Sequence, residues 1–380
     1  MDLKPPRRVL FTFWGRRGAL AQFALELAQA AQTRSDIEAS FSISRQNELL
    51  KDFAALNGDI GVIDTFDANV GAALELWRIP GLRRHLARQA EVGRYEAIIE
   101  LIPHVWSPLL IPPLRRSGAR YATIIHDAAA HPGDWTAKVK PILDLPLRSA
   151  DRVLTLSQSV ADALLAQRRV SPSRLRVLSH PDLTYGARPP RARPEPGEPF
   201  KLLFLGRIMA YKGLPLFVEA AERLRAQNFP VELMVYGEGP LGSCGPRLAA
   251  LGAEVVNRWL APHEIGAALS RAHAVALPYV EASQSGVAAA AYGAGAPIVA
   301  TPVGGLAEQV ADGEWGVLAE AATADAFAAA VRRLFETPKL YECTLSRLAG
   351  PDEARSMARF LGAALEAATD GGSGEPGRPA

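Results

Sequence analysis

The residues best placed to do chemistry cluster between 201 and 308. An apolar run, Leu202-Leu203-Phe204-Leu205, leads into Gly206-Arg207 and, after four residues, Lys212-Gly213 at the head of an amphipathic segment. Two fixed cations beside a helix N-terminus suit a diphosphate, since helix N–H groups and cations both favour negative charge there. Gly206 lets the backbone approach such a group. The bland reading, Arg207 at a strand end and Lys212 in solvent, covers each cation alone but not the pair. Downstream come Tyr236-Gly237-Glu238-Gly239-Pro240, Leu277-Pro278-Tyr279-Val280-Glu281, Ser283-Gln284-Ser285-Gly286, Pro297-Ile298-Val299-Ala300-Thr301 and Gly304-Gly305-Leu306-Ala307-Glu308. A Ser/Gly-rich loop entering a helix holds phosphate through N–H groups and hydroxyls.

A second set lies earlier. Phe13-Trp14-Gly15-Arg16-Arg17-Gly18 follows an apolar run and precedes a helical pattern. Gly15 and Gly18 are expected to supply positive φ and close backbone approach. A turn without a ligand reads nearly as well, and Arg16 and Arg17 either meet a phosphate or face water. His126-Asp127 ends the run 122–125. Ligands of open α/β sheets lie beyond the carboxyl ends of strands, so His126 is expected on the ligand side. His131 is a weaker candidate, and His104 and His180 are left as structural.

The elements that must position these residues are legible as alternating short apolar runs and amphipathic helical patterns. Strands are expected at 8–13, 60–64, 97–101, 122–126, 152–156 and 175–178, then at 201–205, 231–236, 254–257, 274–277, 298–300 and 316–318. That alternation predicts parallel sheets covered on both faces. The fold class expected is α/β: two doubly wound, Rossmann-like domains facing a cleft. Residues 1–185 form the first domain, 186–200 a Pro/Arg-rich linker, 201–350 the second domain, 351–368 a C-terminal helix and 369–380 a disordered tail.

Bulk composition fits a soluble globular protein of two domains, with 48% hydrophobic and 22% charged residues. No run is long enough to span a membrane, and the apolar run 9–14 is too short for a signal peptide. Cys244 and Cys343 stand in no metal or redox spacing, so a reducing cytoplasm is expected. The net charge of +2 hides an asymmetry: residues 1–188 hold 25 Lys and Arg against 19 Asp and Glu. Such a bias steers phosphorylated acceptors or holds a protein at an anionic membrane, or is ordinary solvated surface. The stretch 76–94 mixes basic and apolar residues and could lie on a membrane; Pro80-Gly81 interrupts it, which favours an ordinary surface helix. No basic-aromatic patch of the kind nucleic acid needs is present.

The order and spacing of the 201–308 pieces resemble the nucleotide-sugar half of GT-B glycosyltransferases, the retaining GT4 family in particular. The resemblance implies transfer of a sugar from a nucleotide diphosphate sugar to a glycan or lipid-linked acceptor, in the cytoplasm, with peripheral contact at the inner face of the membrane as an open option. It implies that His126 and Glu281 meet the donor sugar, and that Arg207 and Lys212 stabilise the departing diphosphate. Gly15, Gly18, Gly206, Gly237, Arg258 (near the base), Ser283, Gln284, Ser285, Gly286 and Glu308 would line the donor, and Arg16, Arg17 and His131 the acceptor. No metal ligand or other cofactor is expected. The chain departs from the family in one place: the second of two glutamates, which binds ribose, falls on Ala289 counting forward or Ala290 counting back. Two rivals follow, a sugar-nucleotide epimerase of the same fold and a relative that binds donor without turnover.

Overall fold

The computed structural model describes residues 5–68, 70–130 and 136–370. His131 and the tail 371–380 lie outside them. The chain forms two compact units: one takes the described residues up to Ser179 together with those from Ser356 onward, and the other takes His180–Arg355.

The first unit is built on a seven-stranded parallel sheet: β1 (Arg7–Phe13), β2 (Ile37–Ser44), β3 (Asp59–Ile63), β4 (Ala97–Glu100), β5 (Arg120–Ile125), β6 (Arg152–Thr155) and β7 (Leu175–Val177), in the order β3-β2-β1-β4-β5-β6-β7. The order reverses between β1 and β4, so the loops after those strands flank the sheet's switch point. β2 is absent from the sequence reading because Ser40, Ser42 and Ser44 look like the solvent face of nothing in particular. All three are buried, and the interior supplies their partners. Trp14 Nε1 donates to Ser42 Oγ at 3.1 Å, and Ser44 Oγ meets Thr65 Oγ1 at 2.7 Å. The helix Ile79–Gly93 also survives Pro80, which falls in its first turn, where a missing N–H costs no intrahelical bond.

The second unit carries β8 (Phe200–Leu205), β9 (Val231–Tyr236), β10 (Glu254–Val256), β11 (Ala274–Leu277), β12 (Ile298–Ala300) and β13 (Gly316–Leu318), all parallel in the order β10-β9-β8-β11-β12-β13. Here the switch point lies between β8 and β11. Phe204 and Ala276 are register partners, so the ends of these strands stand side by side.

The C-terminal helix Met357–Thr369 packs on the first unit. Its buried stripe of Phe360, Leu361, Ala364 and Leu365 explains this, and Phe360 meets Phe23 edge-on at 5.2 Å. Ser356 Oγ caps its N-terminus by accepting from Arg359 N.

The Pro/Arg-rich segment expected as a linker is bound along the second unit by its own arginines. Arg191 donates to the Ala272, Leu269 and Ala294 carbonyls, and Arg188 to those of Tyr292, Gly293, Leu348 and Gly350. These carbonyls close the helices Pro262–Arg271, Gly286–Gly293 and Pro338–Leu348, whose last turns have no intrahelical partner. A guanidinium fork satisfies several at once and carries the charge that a helix C-terminus favours. Burial lowers the Arg191 guanidinium to about 10, below its usual value.

Candidate functional site

Three loops meet at the carboxyl end of the second sheet. They leave β9, β8 and β11, and they touch backbone to backbone. Gly213, at φ 70°, lies so close to the β11 loop that a Cβ there would sit 1.8 Å from the Pro278 carbonyl oxygen. Gly237, at φ 149°, passes Gly206 as closely, with 2.0 Å from a built Cβ to the Gly206 oxygen. Only glycine fits at either point. Val280 N donates to Tyr211 O at 2.8 Å, and Gly206 N to Tyr236 O at 2.9 Å, which ties the three loops into one platform.

Lys212 ends a single 3-10 turn, Ala210–Lys212, and its side chain runs inward to 9% exposure. The bland expectation of a solvated lysine therefore fails. Its Nζ donates to Tyr279 Oη at 2.7 Å and stands 4.7 Å from the centroid of the same ring. Among the described residues no carboxylate pairs with this ammonium. Burial, with Arg207 pushing the same way, lowers its pKa below the usual lysine value.

Ser285 is the N-cap of the helix Gly286–Gly293; its Oγ accepts from Ala288 N at 3.2 Å and lies 3.3 Å from Tyr279 Oη. Gln309 holds the same point by its amide: Oε1 accepts from Ser285 N at 2.7 Å and Nε2 donates to Ser285 O at 3.3 Å. Gly206 sits between the two positive features. A Cβ built on it would be 3.4 Å from Lys212 Nζ and 3.2 Å from Val287 Cγ2 on the first turn of that helix. An ammonium and a helix N-terminus thus converge on a glycine at the sheet's switch point, which is where an α/β sheet binds anions.

The other expected residues of this unit take varied places. Arg207 and Glu281 are exposed, and Ser283, Gln284 and Gly286 are half-buried in the loop that enters the helix. Glu308 occupies the first turn of the helix Gly305–Val310, with the side chain exposed. Ala289 and Ala290 are buried among other alanines, so no side chain from the helix supplies the family's second carboxylate. Arg258, expected near a base, instead grips Glu264 through both nitrogens, at 2.9 and 2.5 Å. Glu264 in turn accepts from Ala261 N at the head of the helix Pro262–Arg271, so this pair caps a helix.

The remaining expected residues belong to the first unit. Gly18 has φ 92° and caps the helix Ala19–Gln32, as a glycine turn should. Gly15 needs no positive φ, which corrects its expected conformation; its carbonyl accepts from Asn47 Nδ2 at 3.4 Å. The Gly18 amide donates to Glu48 Oε1 at 2.6 Å, so the protein's own carboxylate closes this helix N-terminus. Arg16 donates to the Asp67 carbonyl with its guanidinium 5.7 Å from the Phe66 ring centroid, while Arg17 is exposed. His126 is 6% exposed and does not stand open at the strand end. Its Nε2 bonds the Leu101 carbonyl at 2.8 Å, its ring lies edge-on to Phe23, and burial lowers its pKa, so it is neutral. His104, on the loop after β4, stacks on Phe66 at 5.1 Å and is lowered to about 3 by burial and by Arg16.

Sequence reasoning missed Tyr279 and Gln309. Nothing local marks either: Tyr279 reads as an apolar strand-end residue, and its hydroxyl matters only because Lys212 arrives beside it from another strand.

Residues 199–337 match the family described as Glycosyl transferases group 1. The D-inositol 3-phosphate glycosyltransferase of Arthrobacter sp. (strain FB24) is 32% identical over 160 residues, covering 39% of this chain and 38% of that protein. D-inositol 3-phosphate glycosyltransferase 1 of Catenulispora acidiphila is 29% identical over 254 residues, 60% of each. The chain thus spans 38% and 60% of the length of these two curated relatives. Among solved structures, Anabaena Alr3699/HepE in complex with UDP-glucose aligns with a TM-score of 0.71 at 14% identity, over 94% of this chain and 98% of that one. Sucrose-phosphate synthase from Thermosynechococcus elongatus aligns with 0.66 at 17% identity, over 95% and 98%. Two parallel α/β units and these likenesses agree on the GT-B fold, and residues 199–337 carry the likeness to Glycosyl transferases group 1.

Proposed function

We propose that this protein moves a sugar, with retention at the anomeric carbon, from a nucleoside diphosphate sugar to a hydroxyl of a glycan or lipid-linked acceptor. The observation that carries the proposal is the buried ammonium of Lys212, without a carboxylate partner among the described residues, beside the N-terminus of the Gly286–Gly293 helix. A buried charge without a counter-ion is costly, and a diphosphate leaving group is the anion that would complete it. The UDP-glucose held by the Anabaena neighbour supports a donor of that class. Arg207 and Lys212 carry the charge-stabilising role, so no resident metal or cofactor is proposed. Glu281 contacts the donor sugar; the loop of Ser283, Gln284 and Gly286, with Glu308, surrounds the rest. His126, its Nε2 already used, orients the loop after β4.

Calorimetric titration with UDP-, GDP- and ADP-sugars, followed by assay of the bound donor with and without candidate acceptors in EDTA, tests this. Acceptor-dependent release of the nucleoside diphosphate is expected. Turnover of the free sugar nucleotide to an epimer would replace the reading with the epimerase, and tight binding with no turnover would replace it with a binding relative.

The membrane-side acceptor is proposed from the first unit. No helix among the described residues is long and apolar enough to cross a membrane. Leu74 and Trp77 are each 74% exposed, and Arg84 and Arg88 are exposed on the helix Ile79–Gly93 that follows. Apolar side chains followed by arginines match an anionic lipid interface. Trp77→Ser is expected to weaken sedimentation with phosphatidylglycerol vesicles by about tenfold, in line with about 1.5–3 kcal/mol for burying one large apolar side chain. Unchanged sedimentation, or none by the wild type, would refute it.

A further inference from the structure

Tyr279 has no part in the function as read from sequence, yet its hydroxyl reaches both the Lys212 ammonium and the Ser285 cap of the helix Gly286–Gly293. It is 1% exposed. Its backbone is fixed by Thr301 Oγ1, which donates to the Tyr279 carbonyl at 2.5 Å, and by the Val280–Tyr211 bond next to it. Its Oη accepts from Lys212 Nζ at 2.7 Å; an ammonium has only donors, so the direction is fixed. The phenol proton is then left for Ser285 Oγ, 3.3 Å away, and that oxygen receives the Ala288 amide of the first helical turn.

We infer that Tyr279 is a positioning residue for the transfer reaction: its hydroxyl accepts from the Lys212 ammonium and donates to Ser285, so that charge and helix N-terminus are held on one anion. The inference rests on the diphosphate reading above. Without the hydroxyl, Lys212 would keep the ring face but lose its hydrogen-bond acceptor. Its ammonium would then be both less stable and less fixed in direction. The charged and titratable groups that face Lys212 are Tyr211 on its own turn, Arg207 on the preceding loop and Tyr279 from the β11 loop. Arg207 disfavours the ammonium, and Tyr279 is the only hydrogen-bond acceptor it has among the described residues. Removing that acceptor must push the equilibrium towards the neutral amine.

The test is Tyr279→Phe, which deletes one oxygen and keeps the ring. In the donor-free protein, carbon NMR of labelled lysine Cε, with the Lys212 resonance assigned by its loss in Lys212→Met, reads the amine directly. The Lys212 pKa is expected to fall by about one pH unit, the size of a tenfold change in the proton equilibrium. In turnover assays, kcat/KM is expected to fall a few-fold at pH 7 and by more as pH rises, up to about tenfold further, mostly through kcat. Tyr279→Ser, which restores a hydroxyl too short to reach Lys212, should not rescue. A Lys212 pKa that stays put or rises would overturn the inference whatever the activity, as would a loss of turnover equal at every pH. If the pKa falls as expected but the wild type transfers no sugar, the positioning contact stands and the functional reading above fails.

Discussion

Lys212→Ala is expected to lower kcat/KM for sugar transfer by about two to three orders of magnitude, with the folded structure retained. Removing one preformed donor aimed at charge that develops in the transition state typically costs about 2.7–4 kcal/mol. Lys212 meets that description: it is buried, held by Tyr279, and placed beside a helix N-terminus. Arg207→Ala should act in the same direction but less strongly, because its side chain is exposed and solvent takes over part of its role. The same geometry makes a second claim. A buried ammonium lacking a carboxylate is a cost to folding, so Lys212→Met, close in length and apolar, is expected to raise the unfolding midpoint at pH 7 while abolishing turnover. The sign follows from the lowered pKa of a basic group. The penalty is fully present while Lys212 is charged in the folded protein. It begins to fall as pH rises through the folded value, where the native amine becomes neutral first, and is gone once pH exceeds the unfolded value. The gain of Lys212→Met should therefore shrink at alkaline pH. Urea unfolding at pH 7 and pH 10, beside steady-state kinetics at pH 7, checks both parts. Near-normal turnover in Lys212→Ala would remove the basis of the diphosphate site.

Gly213→Ala is expected to destabilise the second unit by about 2–5 kcal/mol and to abolish donor binding. Two penalties combine. At φ 70° an L-residue pays about 1–2 kcal/mol for the left-handed conformation. Its Cβ would also lie 1.8 Å from the Pro278 carbonyl oxygen, an overlap that only movement of the β11 loop can relieve, at about 1–3 kcal/mol more. That loop carries Tyr279, and Gly213 directly follows Lys212, so relief of the clash separates the two groups whose contact defines the site. Gly252→Ala provides the comparison: it has φ 68° but no atom within 4 Å of a built Cβ, so it pays the conformational cost alone and should leave donor binding intact. Urea denaturation and calorimetry with the donor distinguish the two variants. Equal effects from both would mean that the close approach at Gly213 carries no weight.

Much of the second unit was readable residue by residue. The apolar runs that became β8, β9, β11 and β12 announce parallel strands because both faces are buried, and Gly206 and Gly237 mark the ends of β8 and β9. In the first unit β2 escaped notice because its serines find partners only inside the fold. The resemblance places Arg258 near the base and does not record its pairing with Glu264, six residues on, at the head of a helix. The linker arginines read only as part of a Pro/Arg-rich linker, since nothing in their own neighbourhood reveals that helix C-termini lie against them.

The sequence by itself determined the α/β class, the two parallel series of strands and the Gly-Arg…Lys-Gly turn, because each depends on the local periodicity of apolar side chains and on which residues tolerate a tight turn. Tertiary structure alone decided what Lys212 touches. Tyr279 lies 67 positions further along the chain, and only the order β8-β11 brings the ends of their strands together. It likewise decided that Glu48 closes the Gly18 turn and that Arg188 and Arg191 cap helices from the far end of the unit. The physical reason is common to all of these. A parallel sheet needs a crossover between neighbouring strands, so the groups that meet at its carboxyl edge are distant in sequence, and no short-range pattern records their meeting.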